Sequence, residues 1–205
     1  MSKVKCAADD VPMRKGDLYF SVDVETDGPI PGPYSLLSFA IVTVAKYDGQ
    51  TFSRVPRESF TASLRPISTM FEADALRVNK IDRDRLITEG DEPADAMTRA
   101  ARWIAERADG LQPIFVAYPL GFDWIWLYWY FVRYSAAGLP FKHSAGFDIK
   151  TAFAIKAKLP VSCAGRATMP DTLRGLEPHT HDALDDAVKQ GEIFARLFEW
   201  KPAFA

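Results

Sequence analysis

The chain predicts an α/β fold in which a mixed sheet of five strands, the first three antiparallel, carries helices on both faces. Three observations lead there. The first third is a series of apolar or alternating runs joined by turn formers, the pattern of a β-meander. The remainder alternates short, wholly apolar runs with longer segments of helical period. Strands of the second kind need crossover helices, which then cover the sheet.

Residues 1–16 read as a loose tail of mixed charge with no apolar core, so they are not a secretory signal. Tyr19 to Val24 is a buried strand closed by the turn signal Asp27-Gly28, and a loop dense in Gly and Pro follows through Pro33. Tyr34 to Tyr47 is a second strand, turned at Asp48-Gly49. Thr51 to Leu64 is a third, with Pro56 making part of it irregular or an edge. Phe71 to Ile87 mixes short helical pieces with loop. Glu92-Pro93 then opens a helix, Ala94 to Arg107, with Ala96, Ala100, Trp103 and Ile104 on one stripe. Pro113 to Ala117 is the fourth strand and Phe122 to Tyr134 an aromatic helix. Ser144 to Lys150 allows a fifth strand that enters a helix, Thr151 to Ala157. Pro160 to Glu177 is mostly loop, with a short helix after Pro170. The last helix spans Ala183 to Glu199.

The 205 residues suit one domain with a full core, residues 17–205, and no repeat or linker divides them. Apolar residues make up 48% and the net charge is −2, so any hold on nucleic acid must come from local patches and bound metal. Cys6 and Cys163 are too few for a disulfide framework, which fits a reducing, cytoplasmic setting. The most apolar run, Trp124 to Val132, is too short to span a bilayer and is flanked by Asp123 and Arg133, so no membrane is expected.

Two acids, Asp23 and Glu25, stand in the first strand one residue apart. Side chains alternate along a strand, so the two carboxylates share a face, where their repulsion makes ionising both costly. A cation between them removes the difficulty. Oxygen ligands with no Cys or His nearby point to Mg²⁺ or Mn²⁺ rather than zinc. Asp123 sits in the first turn of the aromatic helix, where an acid either complements the helix dipole or serves a site. The stretch His179-Thr-His181-Asp182-Ala-Leu-Asp185-Asp186 opens the last helix. Asp182 and Asp185 have the spacing of a capping box. Asp186 is left over on the core-facing side, a costly place for an unpaired carboxylate.

Asp23-Val-Glu25-Thr, then Phe-Asp123, then His181-x-Ala-x-x-Asp186-Ala resemble the three motifs of the DEDDh 3′–5′ exonucleases, which include proofreading subunits, RNase T and oligoribonuclease. The stretch Ala75 to Ile81 resembles the family's segment after the third strand, and the resemblance covers about residues 17 to 199. Asp27 stands where many members have a second Thr, and Tyr118-Pro119 where many have His-Asn. The resemblance implies an RNase H-like three-layer fold. It implies that Asp23, Glu25, Asp123 and Asp186 bind two divalent ions about 4 Å apart. It implies His181 as general base and a single-stranded RNA or DNA 3′ end as substrate. Similarity to dimeric members implies a homodimer.

Thr26 and Trp126 are the candidate substrate contacts. Trp126, Leu127 and Tyr130 share a face with Asp123 by i+3, i+4 and i+7 spacing, and this face either lines the site and stacks on bases or fills the core. A zinc hydrolase built on His179-x-His181-Asp182 fails on inventory, since His143 is the only other histidine and no Cys pair is near. The alternative reading is an inactive nucleic-acid- or protein-binding module on the same fold. A dead site, however, has no physical need for four clustered acids.

Overall fold

The computed structural model describes residues 16–175 and 180–202, which leaves most of the predicted N-terminal tail, Cys6 and His179 outside the described residues. Strand β1 (Asp17–Thr26) runs down the middle of the sheet, antiparallel to β2 (Leu36–Tyr47) and parallel to β5 (Gln112–Ala117). It is buried almost throughout because both faces are covered. Leu18, Phe20, Val22 and Val24 enter one core with α3 (Pro93–Ala108) and α4 (Leu120–Tyr134). Tyr19 points the other way, into a second core with α5 (Ile149–Ala157) and α7 (Ala183–Glu199).

The sheet has six strands rather than the expected five. Thr51 to Leu64 divides into β3 (Phe52–Arg54) and β4 (Ser59–Ser63), both antiparallel to β2. Pro56 sits in the break, and Thr43 supplies what a continuous ladder would have given there. Its hydroxyl donates to the Pro56 carbonyl at 2.8 Å and accepts the Glu58 N–H at 2.9 Å. The short β6 (Gly146–Asp148) pairs parallel with β5, and the strand order is β3-β2-β1-β5-β6.

Helix α7 keeps its predicted bounds, with Ile193, Phe194 and Leu197 buried. It lies close to β1 because of Gly191: a Cβ there would stand 2.9 Å from Val44 Cγ2 and 3.2 Å from Ser21 Cβ. Gln190 reinforces this contact by donating to the Val22 carbonyl at 2.7 Å. At the far end of α7, Lys156 donates to the carbonyls of Leu197, Phe198 and Trp200, at the helix terminus where carbonyls run short of intrahelical donors. The mixed region becomes α1 (Ala73–Asn79) and α2 (Arg83–Glu89), and α6 (Asp171–Arg174) follows Pro170 as expected. Among the described residues no helix is long and apolar enough to cross a membrane.

Candidate active site

Three elements deliver carboxylates to the C-terminal end of β1. Asp23 and Glu25 come from the strand itself and are each 8% exposed. Asp123, in the first turn of α4, is pinned to the strand by accepting the Val24 N–H at 3.2 Å. Asp186, in the first turn of α7, is fully buried. Its two oxygens accept the Thr180 N–H at 3.2 Å and the His181 N–H at 2.8 Å, so it organises the loop that presents His181. His181 bends away from the helix with φ of 57° and its ring stays exposed. Ligand atoms of Glu25, His181 and Asp186 lie within 4.8 Å of one another.

Asp182 caps α7 as expected, accepting the Asp185 N–H at 3.0 Å. The return half of the capping box is replaced: the Asp185 carboxylate takes the Thr180 hydroxyl and the Lys189 ammonium instead. Both acids therefore have local partners, while Asp186 faces the cluster.

Burial and mutual repulsion act together on these acids. Desolvation, then the charges of Asp123, Glu25 and Asp186, push the Asp23 carboxyl well above the usual carboxylate range. Glu25 is pushed up to about 8, by burial first and then by Asp186, Asp123 and Asp182. Burial pushes Asp123 up to about 7, against the lowering effect of the Val24 N–H. The guanidinium of Arg166 counters part of the rise at Asp23 and Asp123. A group of hard oxygen donors short of positive charge fits a divalent cation and fits little else.

Asp23, Glu25 and Asp123 open into a cleft of about 630 Å³ whose other walls include Glu72, Val78, Asn79, Tyr118, Pro119 and Phe122. Thr26 lines it, but its hydroxyl donates to the Gly28 carbonyl at 2.9 Å and its own carbonyl accepts Asn79 Nδ2 at 2.9 Å. Trp126 does not line it. With Leu127 and Tyr130 it is fully buried in the core, and Tyr130 accepts the Leu36 N–H at 2.8 Å. The exposed aromatic of the cleft is Phe122, one residue before Asp123, facing the cleft together with exposed Val78. An aromatic helix that is apolar all round gives periodicity no means of choosing between Phe122 and Trp126.

Asp27 is a structural departure. Fully buried, it accepts the Ser35 N–H and pairs with Arg83 Nε at 2.8 Å, which ties the β1–β2 loop to the start of α2. Tyr118 reaches across to the Ala164 carbonyl, donating its hydroxyl at 3.1 Å.

No family model matches the chain. It is 34% identical over 184 residues to the 3′–5′ DNA exonuclease Cap18 of Escherichia coli, covering 87% of this chain and 90% of that one. Its fold is that of the nuclease domain of 3′hExo, a DEDDh family member bound to rAMP: TM-score 0.65, 15% identity, 92% of this chain and 94% of that one. It also superposes on the zinc-bound exonuclease I–ssDNA complex of E. coli, with TM-score 0.60 and 18% identity over 91% of this chain and 42% of that one. Sequence kinship across nearly the whole length and a shared RNase H-like fold agree: the chain belongs to the DEDDh 3′–5′ exonucleases.

Proposed function

We propose that the protein trims single-stranded DNA from its 3′ end, with Asp23, Glu25, Asp123 and Asp186 holding two divalent cations, Mg²⁺ or Mn²⁺, and His181 serving as general base. The observation that carries this is three largely desolvated carboxylates, Asp23, Glu25 and Asp123, lining one open cleft with His181, and buried Asp186 beside Glu25 and His181. The choice of DNA follows the activity named for the E. coli relative. Bound cations would supply charge neutralisation at the scissile phosphate and at the leaving 3′ oxygen. His181, on the Glu25–Asp186 edge, takes the proton of the attacking water. The water oxygen bonds to phosphorus as the P–O3′ bond breaks, releasing a nucleoside 5′-monophosphate. Labelled DNA and RNA ladders incubated with Mg²⁺, with and without EDTA, test the reading. Stepwise 3′ shortening of DNA that EDTA stops is expected; shortening from the 5′ end, or none, overturns it.

Phe122 and Val78 offer an apolar seat for the terminal base. Stacking on an aromatic contributes about 1–3 kcal/mol per base, so Phe122→Ala should raise KM by about fivefold or more. An unchanged KM on oligo-dT would place the base elsewhere.

Cation binding should also be coupled to protons. With Glu25 raised to about 8 and Asp123 to about 7, both carry protons near neutrality that a cation must displace. Mn²⁺ affinity should therefore rise from about pH 6 to about pH 8, with protons released on binding. Titration calorimetry in buffers of different ionisation enthalpy measures both. A pH-independent affinity with no proton release would count against these ligands.

A further inference from the structure

The cleft is electrostatically lopsided. His181 belongs to the Glu25–Asp186 edge. Arg166 lies over Tyr118, the cleft-wall residue just before the helix that carries Asp123, and its charge bears on Asp23 and Asp123, which puts it on the other. It lies in the segment between α5 and α6, which held few signals in the sequence.

Several contacts fix Arg166 there. Its guanidinium carbon lies 5.4 Å from the centroid of Tyr118, a residue of the cleft wall. The Tyr118 hydroxyl holds the Ala164 carbonyl at 3.1 Å, two residues before Arg166. Ala164 and Met169 are buried on either side of it in the core beneath α5 and α7. The Thr168 hydroxyl closes the intervening turn by donating to the Cys163 and Gly165 carbonyls. Among the described residues Arg166 forms no hydrogen bond or salt bridge to a carboxylate. A guanidinium stacked on a ring keeps its planar fork of donors available for an oxyanion, which an ammonium cannot reproduce.

We propose that Arg166, seated on Tyr118, is a substrate-binding residue that grips a non-bridging oxygen of the phosphate next to the scissile one, on the strand that remains after cleavage. This rests on the 3′ exonuclease reading of the same cleft. His181 marks the side from which water attacks, so the leaving oxygen and the strand behind it fall on the Asp23–Asp123 side. Arg166 stands on that side, beyond hydrogen-bonding reach of both acids, where the next phosphate passes.

The test compares two substrates at saturating Mg²⁺. One is oligo-dT; the other is the p-nitrophenyl ester of thymidine 5′-monophosphate, which has a scissile phosphate and no neighbour. Arg166→Ala should raise KM on oligo-dT, and its loss of kcat/KM there should exceed the loss on the ester by about tenfold. In an Asp23→Asn background, which prevents turnover, the salt slope of oligo-dT binding should fall by about 0.7 in the Arg166→Ala chain. Arg166→Lys should restore that slope while only partly restoring KM, and Arg166→Gln repeats the measurement if the alanine variant folds poorly. Equal losses on both substrates, or an unchanged salt slope, overturn the proposal. A wild-type chain inert on both substrates overturns the exonuclease reading instead.

Discussion

Asp23→Asn should abolish cleavage and, in the metal-free protein, raise stability. Both effects have one cause. Asp23 is buried among the other acids, with Asp123, Glu25 and Asp186 all repelling its charge. Removing that charge would take away a proposed cation ligand and also relieve the repulsion on the remaining acids. A carboxyl whose folded pKa lies above its unfolded value contributes stability below the unfolded value and loses it as pH rises through the folded one. For Glu25 that window runs from 4.5 to about 8, and Asp23 moves in the same direction. The metal-free wild type should therefore melt at progressively lower temperature across this window, and Mg²⁺ should reverse the loss. The Asn variant should show a flatter pH dependence and, near pH 8, a melting temperature higher by about 2 °C or more. Thermal melts in EDTA and in Mg²⁺, beside a cleavage assay, measure all of this. Substantial Mg²⁺-dependent cleavage by folded Asp23→Asn, or a variant that melts lower at every pH, would show that Asp23 is not the centre of the cluster.

What the sequence disclosed depended on how local the cause was. The Asp-x-Glu pair was readable because strand alternation alone puts both acids on one face. The bounds of α7 were readable because its cap, Asp182, and its apolar stripe lie within a few turns. The split of the third strand was only half readable: Pro56 marked the irregularity, but the hydroxyl that stabilises it belongs to Thr43 on another strand. Asp27 passed as a turn former because its partner Arg83 is 56 residues away. Trp126 and Phe122 could not be told apart on an apolar helix until the sheet beneath it chose a side. Arg166 gave no signal, since its meaning lies wholly in its position over Tyr118.

The departures at Asp27 and Tyr118 also acquire roles. Asp27 braces the loop from which β2 starts, and the Glu72 N–H donates to its carbonyl at 2.8 Å. That contact sets the entry to α1, the wall carrying Val78 and Asn79. Tyr118 anchors the opposite wall through Ala164. Both departures thus shape the walls of the cleft and leave its acids untouched.

The opening of α7 carries the other large expected effect, and it separates three neighbours by what each holds. Asp182 holds only a helix end, so Asp182→Ala should cost about 1 kcal/mol of stability and keep activity. His181 is the proposed base, so His181→Ala should lose roughly 10²–10⁴ in rate while Mn²⁺ affinity stays close to that of the wild type. Asp186 does two jobs at once. It contributes a carboxylate to the cluster, and its oxygens accept the Thr180 and His181 N–H groups that fix the base. Asp186→Ala should therefore lose both Mn²⁺ binding and activity, a greater loss than His181→Ala. His179→Ala, outside the matching motif, should cleave near the wild-type rate. Calorimetric Mn²⁺ titrations beside single-turnover rates for the four variants make the comparison. If Asp182→Ala or His179→Ala were crippled while Asp186→Ala or His181→Ala retained rate and affinity, the register of ligands and base along α7 would be wrong. That shift would move the water-activating side of the cleft away from Glu25.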